Sequence, residues 1–268
     1  MRIIFLADVM GRPGRAALAA LLPRLLDYHH ADFCIINCEN SAAGYGVTPA
    51  TAEELFDAGA HCLTSGNHIW AQKEALPMLA QEQRLLRPAN YPVGAPGRGA
   101  AIFKDGDGTP ILVINLQGRT FMEAIECPFR GADAILAQFK GQAAVIFIDF
   151  HAEATSEKVA LGCYLDGRVS GVVGTHTHVQ TSDDRILPGG TAYLSDAGMC
   201  GALDSVIGVD KDIAVNRFLT GIPVRFQVPK SGSCVVQGAI LEADNRTGHA
   251  VSLERINVVW QPGTRDFS

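Results

Sequence analysis

Residues 144–150 read AVIFIDF, the most apolar strand-like run in the chain, and the residue that follows is His151. A helix is expected next, over about Thr155–Leu165, and then a second strand at Val169–Val173. That strand runs on into GTHTH, which places His176 and His178 just past its end. Strand, helix and strand, each strand closed by histidine, set the pattern for the rest of the chain. Short apolar runs end in polar residues and alternate with stretches of helical periodicity.

The N-terminal part repeats that pattern. Arg2–Ala7 reads as a buried strand, and Gly14 to about Tyr28 as a helix with Leu18, Leu21, Leu22, Leu25 and Leu26 on one face. Pro23 is expected to shorten or kink it. Phe33–Asn37 is a second strand. Thr48 followed by Pro49 signals a helix start and Gly59 a stop. His61–Thr64 is a third strand, Gln72–Gln83 a helix, and the Pro- and Gly-rich stretch 87–98 an irregular loop. Ile111–Leu116 reads as a strand and Phe129–Lys140 as a helix. After the two strands of the opening stretch come another at Ala192–Ser195 and a helix near Lys211–Leu219. Three antiparallel strands are expected last, at Pro223–Val228, Ser233–Ala243 and Ala250–Val259, the final two joined by a turn at 244–248. The expected class is therefore α/β, a layered sandwich of two mixed sheets flanked by helices. Residues 1–268 are read as one domain, with the strands from about 222 completing the sandwich. There is no internal repeat and no low-complexity segment.

Composition narrows the partners. The chain of 268 residues is 47% hydrophobic and 19% charged, with a formal net charge of −6 and no block of Lys or Arg. Long nucleic acids draw most of their affinity from basic surface, so a stable complex with one is not expected. A small anionic substrate is compatible, because bound cations outweigh the global balance locally. The seven cysteines include no C-x-x-C pair and several lie in apolar runs, as Cys34 does, which reads as small buried hydrophobes in a reducing compartment. The N-terminal apolar stretch is short and interrupted by Asp8, unlike a signal peptide. No run is long enough to span a bilayer. A cytoplasmic protein with no membrane contact is expected, and self-association is left open.

The metal-capable residues fall at strand ends. Asp8 follows the first strand, Glu39 and Asn40 the second, Asn67 and His68 the third, His151 the run AVIFIDF, and His176 and His178 the next. Carboxyl ends of strands are where ligands collect in an open α/β sheet. Taken singly, each has a plainer reading: Asp8 as a helix cap, Glu39-Asn40 as turn residues, Asn67 as a left-handed backbone position, His151 as a satisfied core histidine. Their joint placement on five strands favours a common site. If strand geometry persists through His176-Thr177-His178, both imidazoles point to one side about 6.6 Å apart. Two ions in a phosphatase-type site lie about 3.5–4 Å apart, so each imidazole could reach a different ion, with Glu39 between. Oxygen and imidazole donors without thiolate favour manganese, iron or zinc. Two such ions would give a hydroxide at neutral pH and neutralise phosphoryl charge during in-line attack. His68, next to Asn67 in the chain, is expected to face elsewhere than the ligands and to donate a proton to the leaving oxygen.

LADVMG, NCENSAAG, SGNHIW, DFHAEATSEK and GTHTHVQT, in this order, resemble the diagnostic segments of the calcineurin-like metallophosphoesterase superfamily. Two positions depart from its pattern. The usual D-x-H is Asp8-Val9-Met10, and the usual G-D is Cys38-Glu39 with Asn40 next. With RPANYP and INLQGRTF, these departures resemble the YmdB-like branch of 2',3'-cyclic nucleotide phosphodiesterases, from Met1 to about Val259. The resemblance implies one metal held by Asp8, Glu39, Asn40 and His178, a second by Glu39, Asn67, His151 and His176, and His68 as proton donor. Asn40 would compensate for the histidine absent at Met10, and the metals would be iron or manganese. Arg119, Tyr45, Glu153 and Thr155 are the candidates for phosphate or ribose contacts, Arg119 first because a guanidinium takes phosphate bidentately. Competing readings are a metal-dependent hydrolase of another ester, and a non-catalytic RNA-associated regulator whose metals are structural.

Overall fold

A computed structural model describes residues 1–264. In chain order its elements are β1 (Arg2–Leu6), β2 (Asp8–Val9), α1 (Gly11–Tyr28), β3 (Phe33–Asn37), α2 (Pro49–Asp57), β4 (Cys62–Thr64) and a short 3₁₀ turn, Asn67–Trp70. There follow α3 (Ala75–Gln81), β5 (Ala100–Lys104), β6 (Pro110–Gln117), α4 (Pro128–Gln138), β7 (Val145–His151), α5 (Thr155–Leu165) and β8 (Gly171–Thr175). The last are β9 (Arg185–Ile186), β10 (Ala192–Leu194), β11 (Met199–Ala202), α6 (Lys211–Thr220), β12 (Cys234–Ala243) and β13 (Ala250–Trp260).

Two mixed sheets result. One runs β2-β11-β12-β1-β3-β4 with β13 also paired to β12, and the other runs β5-β6-β7-β8-β10-β9. Alternation along the strands explains the layering. Ile3 and Phe5 of β1 face a core shared with Val113, Phe147 and Val173 of the second sheet, where the Phe5 and Phe147 ring centres lie 5.0 Å apart. Ile4 and Leu6 face outward, onto Leu18, Leu21, Leu22 and Leu25 of α1. On the far side, Ile148 and Phe150 of β7 meet Leu161 and Leu165 of α5. The order is helices, sheet, sheet, helices. No helix among the described residues is long and apolar enough to cross a membrane.

Several expectations on local structure are corrected. Helix α1 starts at Gly11 and continues through Pro23, its buried leucine face holding it across the missing N–H. The helix expected over Gln72–Gln83 is only α3. The strand expected at Pro223–Val228 does not form: β12 already has β13 along one edge and β1 and β11 along the other. That segment is instead tied down by the Gln227 carbonyl, which accepts from the Asp210 amide at 2.8 Å. Strands β2, β5, β9 and β11 have no counterpart among the strands expected from sequence.

Candidate functional site

All eight strand-end residues converge on one cavity edge, where the parallel strands β1, β3, β4, β7 and β8 finish. Two sets of side chains offer ligand atoms within 4.8 Å of one another: Glu39, His151 and His176, and Asp8, Glu39 and His178. Glu39 belongs to both. Two asparagines lie beside them. Asn67 Oδ1 is 3.2 Å from His151 Nε2, and Asn40 Nδ2 is 3.2 Å from His178 Nε2 and donates to Glu39 Oε1 at 3.0 Å. His151 Nε2 lies 3.0 Å from both Glu39 Oε2 and His176 Nδ1, so three donor atoms crowd one point.

Backbone geometry brings the two histidines of GTHTH together in a way strand alternation does not. β8 ends at Thr175, and His176 and His178 adopt φ of 102° and 63°. Such conformations cost a non-glycine residue about 1–3 kcal/mol each and persist only where neighbours over-determine them. Asp196 does so: its Oδ2 accepts from the Thr177 amide at 3.0 Å and the Thr177 hydroxyl at 2.8 Å, and it is paired with buried Lys158 Nζ at 2.7 Å. Gly174 makes room, since a Cβ there would lie 1.8 Å from the Ser195 carbonyl oxygen. Neither Asp196 nor Lys158 stood out in the sequence, although a lysine spaced along an otherwise inward helix face was a signal.

Two of the imidazoles, those of His151 and His178, are oriented from behind. Thr175 Oγ1 donates to Asp149 Oδ1 at 2.7 Å, so its contact with His151 Nδ1 at 2.9 Å makes that nitrogen the donor and leaves Nε2 toward Glu39. His178 Nδ1 donates to the Ile207 carbonyl at 2.8 Å, leaving Nε2 toward Asn40. Burial opposes ionisation of Glu39, but His151 and His68 outweigh it and hold the carboxyl well below its usual range. His151 is correspondingly raised to about 9 despite burial, chiefly by Glu39. Burial and the His151 charge lower His176 to about 3. Asp8 goes the other way: burial raises it, and His178 and His151 do not compensate.

The donor set fits divalent cations on structural grounds. Asp8 Oδ1 is a buried side-chain oxygen without a hydrogen-bond partner, the one such atom among the described residues. A Cβ on Gly66 would lie 2.1 Å from Glu39 Oε2 and 2.3 Å from His151 Nε2, so glycine keeps the centre open. Neighbouring Cys38 is buried and its thiol pushed far up, which removes thiolate from the donor set.

His68 does not face elsewhere. The 3₁₀ turn swings it back over the same centre, with Nδ1 2.8 Å from Asn40 Oδ1 and 3.4 Å from Glu39 Oε1. Of the four substrate-contact candidates, Tyr45 and Glu153 line the cavity. The Tyr45 ring centre is 4.9 Å from that of His68, and Glu153 Oε2 is 3.2 Å from His176 Nε2. Arg119 and Thr155 are exposed and outside the lining. The Arg119 and Thr120 amides donate to Glu157, which turns the chain after β6 over the start of α5 instead of into the cavity. Sequence reasoning missed the opposite wall, made of Met10, Ile207, Val209, Phe226 and Val228.

Known proteins are similar to this chain over nearly their whole length. The chain is 48% identical to the Bacillus subtilis 2',3'-cyclic-nucleotide 2'-phosphodiesterase over 96% of both chains. A crystal structure of a hypothetical protein from Thermus thermophilus superposes with a TM-score of 0.90 at 40% identity, covering 97% of this chain and 99% of that one. The crystal structure of a novel phosphatase from Mycoplasma pneumoniae gives 0.91 at 34% identity, covering 98% and 95%. The fold is that of metallophosphoesterase-like phosphatase structures. Since the model of the YmdB-like protein family matches residues 4–256, the chain belongs to that family.

Proposed function

We propose that the chain is a phosphodiesterase that hydrolyses 2',3'-cyclic nucleotides at a centre for two divalent metal ions, iron or manganese by preference and zinc by donor type. The observation that carries this reading is the pair of donor clusters sharing Glu39, with the unpartnered Asp8 Oδ1 buried in one of them. Asp8, Glu39, Asn40 and His178 would hold one ion, and Glu39, Asn67, His151 and His176 the other. When bound, the ions supply a nucleophilic water at neutral pH and neutralise charge on the phosphoryl oxygens. The name of the Bacillus relative supports the substrate class.

The chain's own residues do the rest. Thr175 and the Ile207 carbonyl fix the tautomers of His151 and His178 so that Nε2 faces the centre. Because Asn40 Nδ2 donates to Glu39, Asn40 Oδ1 is the acceptor for His68 Nδ1–H. That contact leaves His68 Nε2 toward the cavity, where the ring can donate in its imidazolium form, with a proton on each nitrogen. In hydrolysis a water oxygen bonds to phosphorus, one ribose oxygen leaves, and His68 Nε2 supplies that oxygen's proton, giving a phosphate monoester. Among the described residues the cavity lining contains no Lys or Arg.

Metal analysis of purified protein, paired with turnover of 2',3'-cyclic AMP, tests the reading. Ions near two per chain and activity abolished by Glu39→Gln are expected. Full activity of Glu39→Gln under saturating metal, or cleavage of carboxyl esters with phosphodiesters inert, would overturn it.

A further inference from the structure

We infer that the apolar wall facing the metal-binding floor is a nucleobase subsite, with Phe226 as its stacking platform; this rests on the cyclic-nucleotide reading above. The cavity encloses about 320 Å³, within the range of small-ligand sites. One side is polar, made of Glu39, Asn40, His68, His176 and His178. The other is Met10, Tyr45, Ile207, Val209, Phe226 and Val228. A cavity divided in this way suits a ligand with an anionic head and a flat, neutral, poorly hydrated body. A nucleoside cyclic phosphate has that division, and its base is the flat part.

The wall is a built feature, not a margin of the core. Ile207, Val209 and Phe226 belong to none of the packed core clusters, and Ile207 is 48% exposed. Apolar side chains held half-open over a polar centre lack the usual reason for being apolar. Phe226 is nevertheless held in place. The Arg217 guanidinium of α6 lies 4.6 Å from its ring centre, and the adjacent Gln227 carbonyl is bound to the Asp210 amide. Asp210 also caps α6 through its side chain. On the other flank Val228 packs beside Met10, close enough that a Cβ on Gly44 would come within 2.9 Å of it. Met10 occupies the position where the superfamily pattern has histidine. Here that position contributes a thioether to the wall instead of a nitrogen to the centre.

Wall and floor are also joined. The Ile207 carbonyl orients His178, so a side-chain-to-backbone hydrogen bond links the subsite to the phosphate site. The wall's own polar side chain is that of Gln227, an amide able both to donate and to accept. None of these wall residues is charged, so recognition is by stacking, which is tolerant of sequence and favours larger rings. Adenine and guanine cyclic nucleotides are expected to outperform cytosine and uracil, with none excluded.

The test is steady-state kinetics of the metal-loaded full chain on 2',3'-cyclic AMP, 2',3'-cyclic CMP and methyl riboside 2',3'-cyclic phosphate, which has no base. Wild type is expected to show kcat/KM higher for cyclic AMP than for the baseless substrate by about 5- to 150-fold, the range of one base–aromatic stack. Phe226→Ala should collapse that ratio toward one through KM, while Phe226→Tyr keeps it. Equal melting temperatures exclude unfolding as the cause. A ratio near one in wild type, or one unchanged in Phe226→Ala, overturns the subsite while leaving the phosphodiesterase reading in place. No turnover of any of the three substrates removes both.

Discussion

The floor of the cavity and the wall that faces it are held by different means. Floor residues stand at or just beyond the ends of hydrogen-bonded strands, and the groups behind them are fully buried: Asp149 takes hydrogen bonds from Asn37, Thr64 and Thr175, and Asp196 from Thr177 and Lys158. Much of the wall comes from the turn 207–209 and the unpaired segment 222–229, which is tied to the start of α6 through the Asp210 amide and the Gln227 carbonyl. The floor needs atoms placed to tenths of an ångström, because charged and polar groups taken out of water are costly unless their partners are in place. The wall needs shape alone, which apolar side chains supply. Lesions in the floor should therefore cost orders of magnitude in turnover or metal, and lesions in the wall should be felt in KM and in substrate choice.

The comparison breaks most sharply at Glu39. Glu39→Gln should take turnover to background and reduce bound metal, read by elemental analysis alongside kinetics. An intact two-ion protein with normal kcat would show that the shared carboxylate is not central. His68→Ala is expected to lower kcat by about 10²–10⁴-fold with metal content unchanged, the span of a lost general acid; loss of metal in that variant would make His68 part of the donor set instead.

Asp196 tests how much of the floor depends on its support. Asp196→Asn should weaken metal affinity by about 10- to 100-fold, as losing a partner behind a ligand does, and should lower Tm because Lys158 is left buried without its countercharge. Lys158→Met combined with Asp196→Asn removes both charges. If Asp196 positions Thr177, the double variant recovers Tm but not metal affinity; recovery of both would make the pair merely structural.

The smallest effect is in pH. In metal-free protein the folded pKa of His151, about 9, lies above its unfolded value of 6.5. Its stabilisation is complete below pH 6.5 and is lost as pH rises through 9. Asp8, also raised, acts in the same direction from about its unfolded value of 3.8 upward. Glu39 is depressed and stabilises above 4.5, losing that contribution as pH falls. Thermal melts of metal-free protein should decline between pH 6.5 and 9, while metal-loaded protein, with the His151 proton displaced, should stay nearly flat. Parallel curves would count against the His151–Glu39 pair.

Much of the layered α/β class could be read from the chain, because apolar runs such as 144–150 and the leucine face of α1 state their period directly. The edge where Asp8, Glu39, Asn67, His151 and His176 meet was legible for the same reason: parallel strands finish on a common side. Hairpin β5–β6 was legible too, in retrospect, through the Asp-Gly turn at 105–109, whose Asp105 carboxylate accepts from two amides.

What sequence alone determined was which residue types stand at strand ends, since that is a matter of local periodicity. Tertiary structure decided how they face. His68 turns back to the centre through one 3₁₀ turn, His176 and His178 share it through left-handed backbone held by Asp196, and Arg119 and Thr155 fall outside the cavity. It also decided that 222–229 is a wall and not a strand. Whether an alternating run joins a sheet depends on a free edge, and β12 has none left, a fact carried by residues far away in the chain.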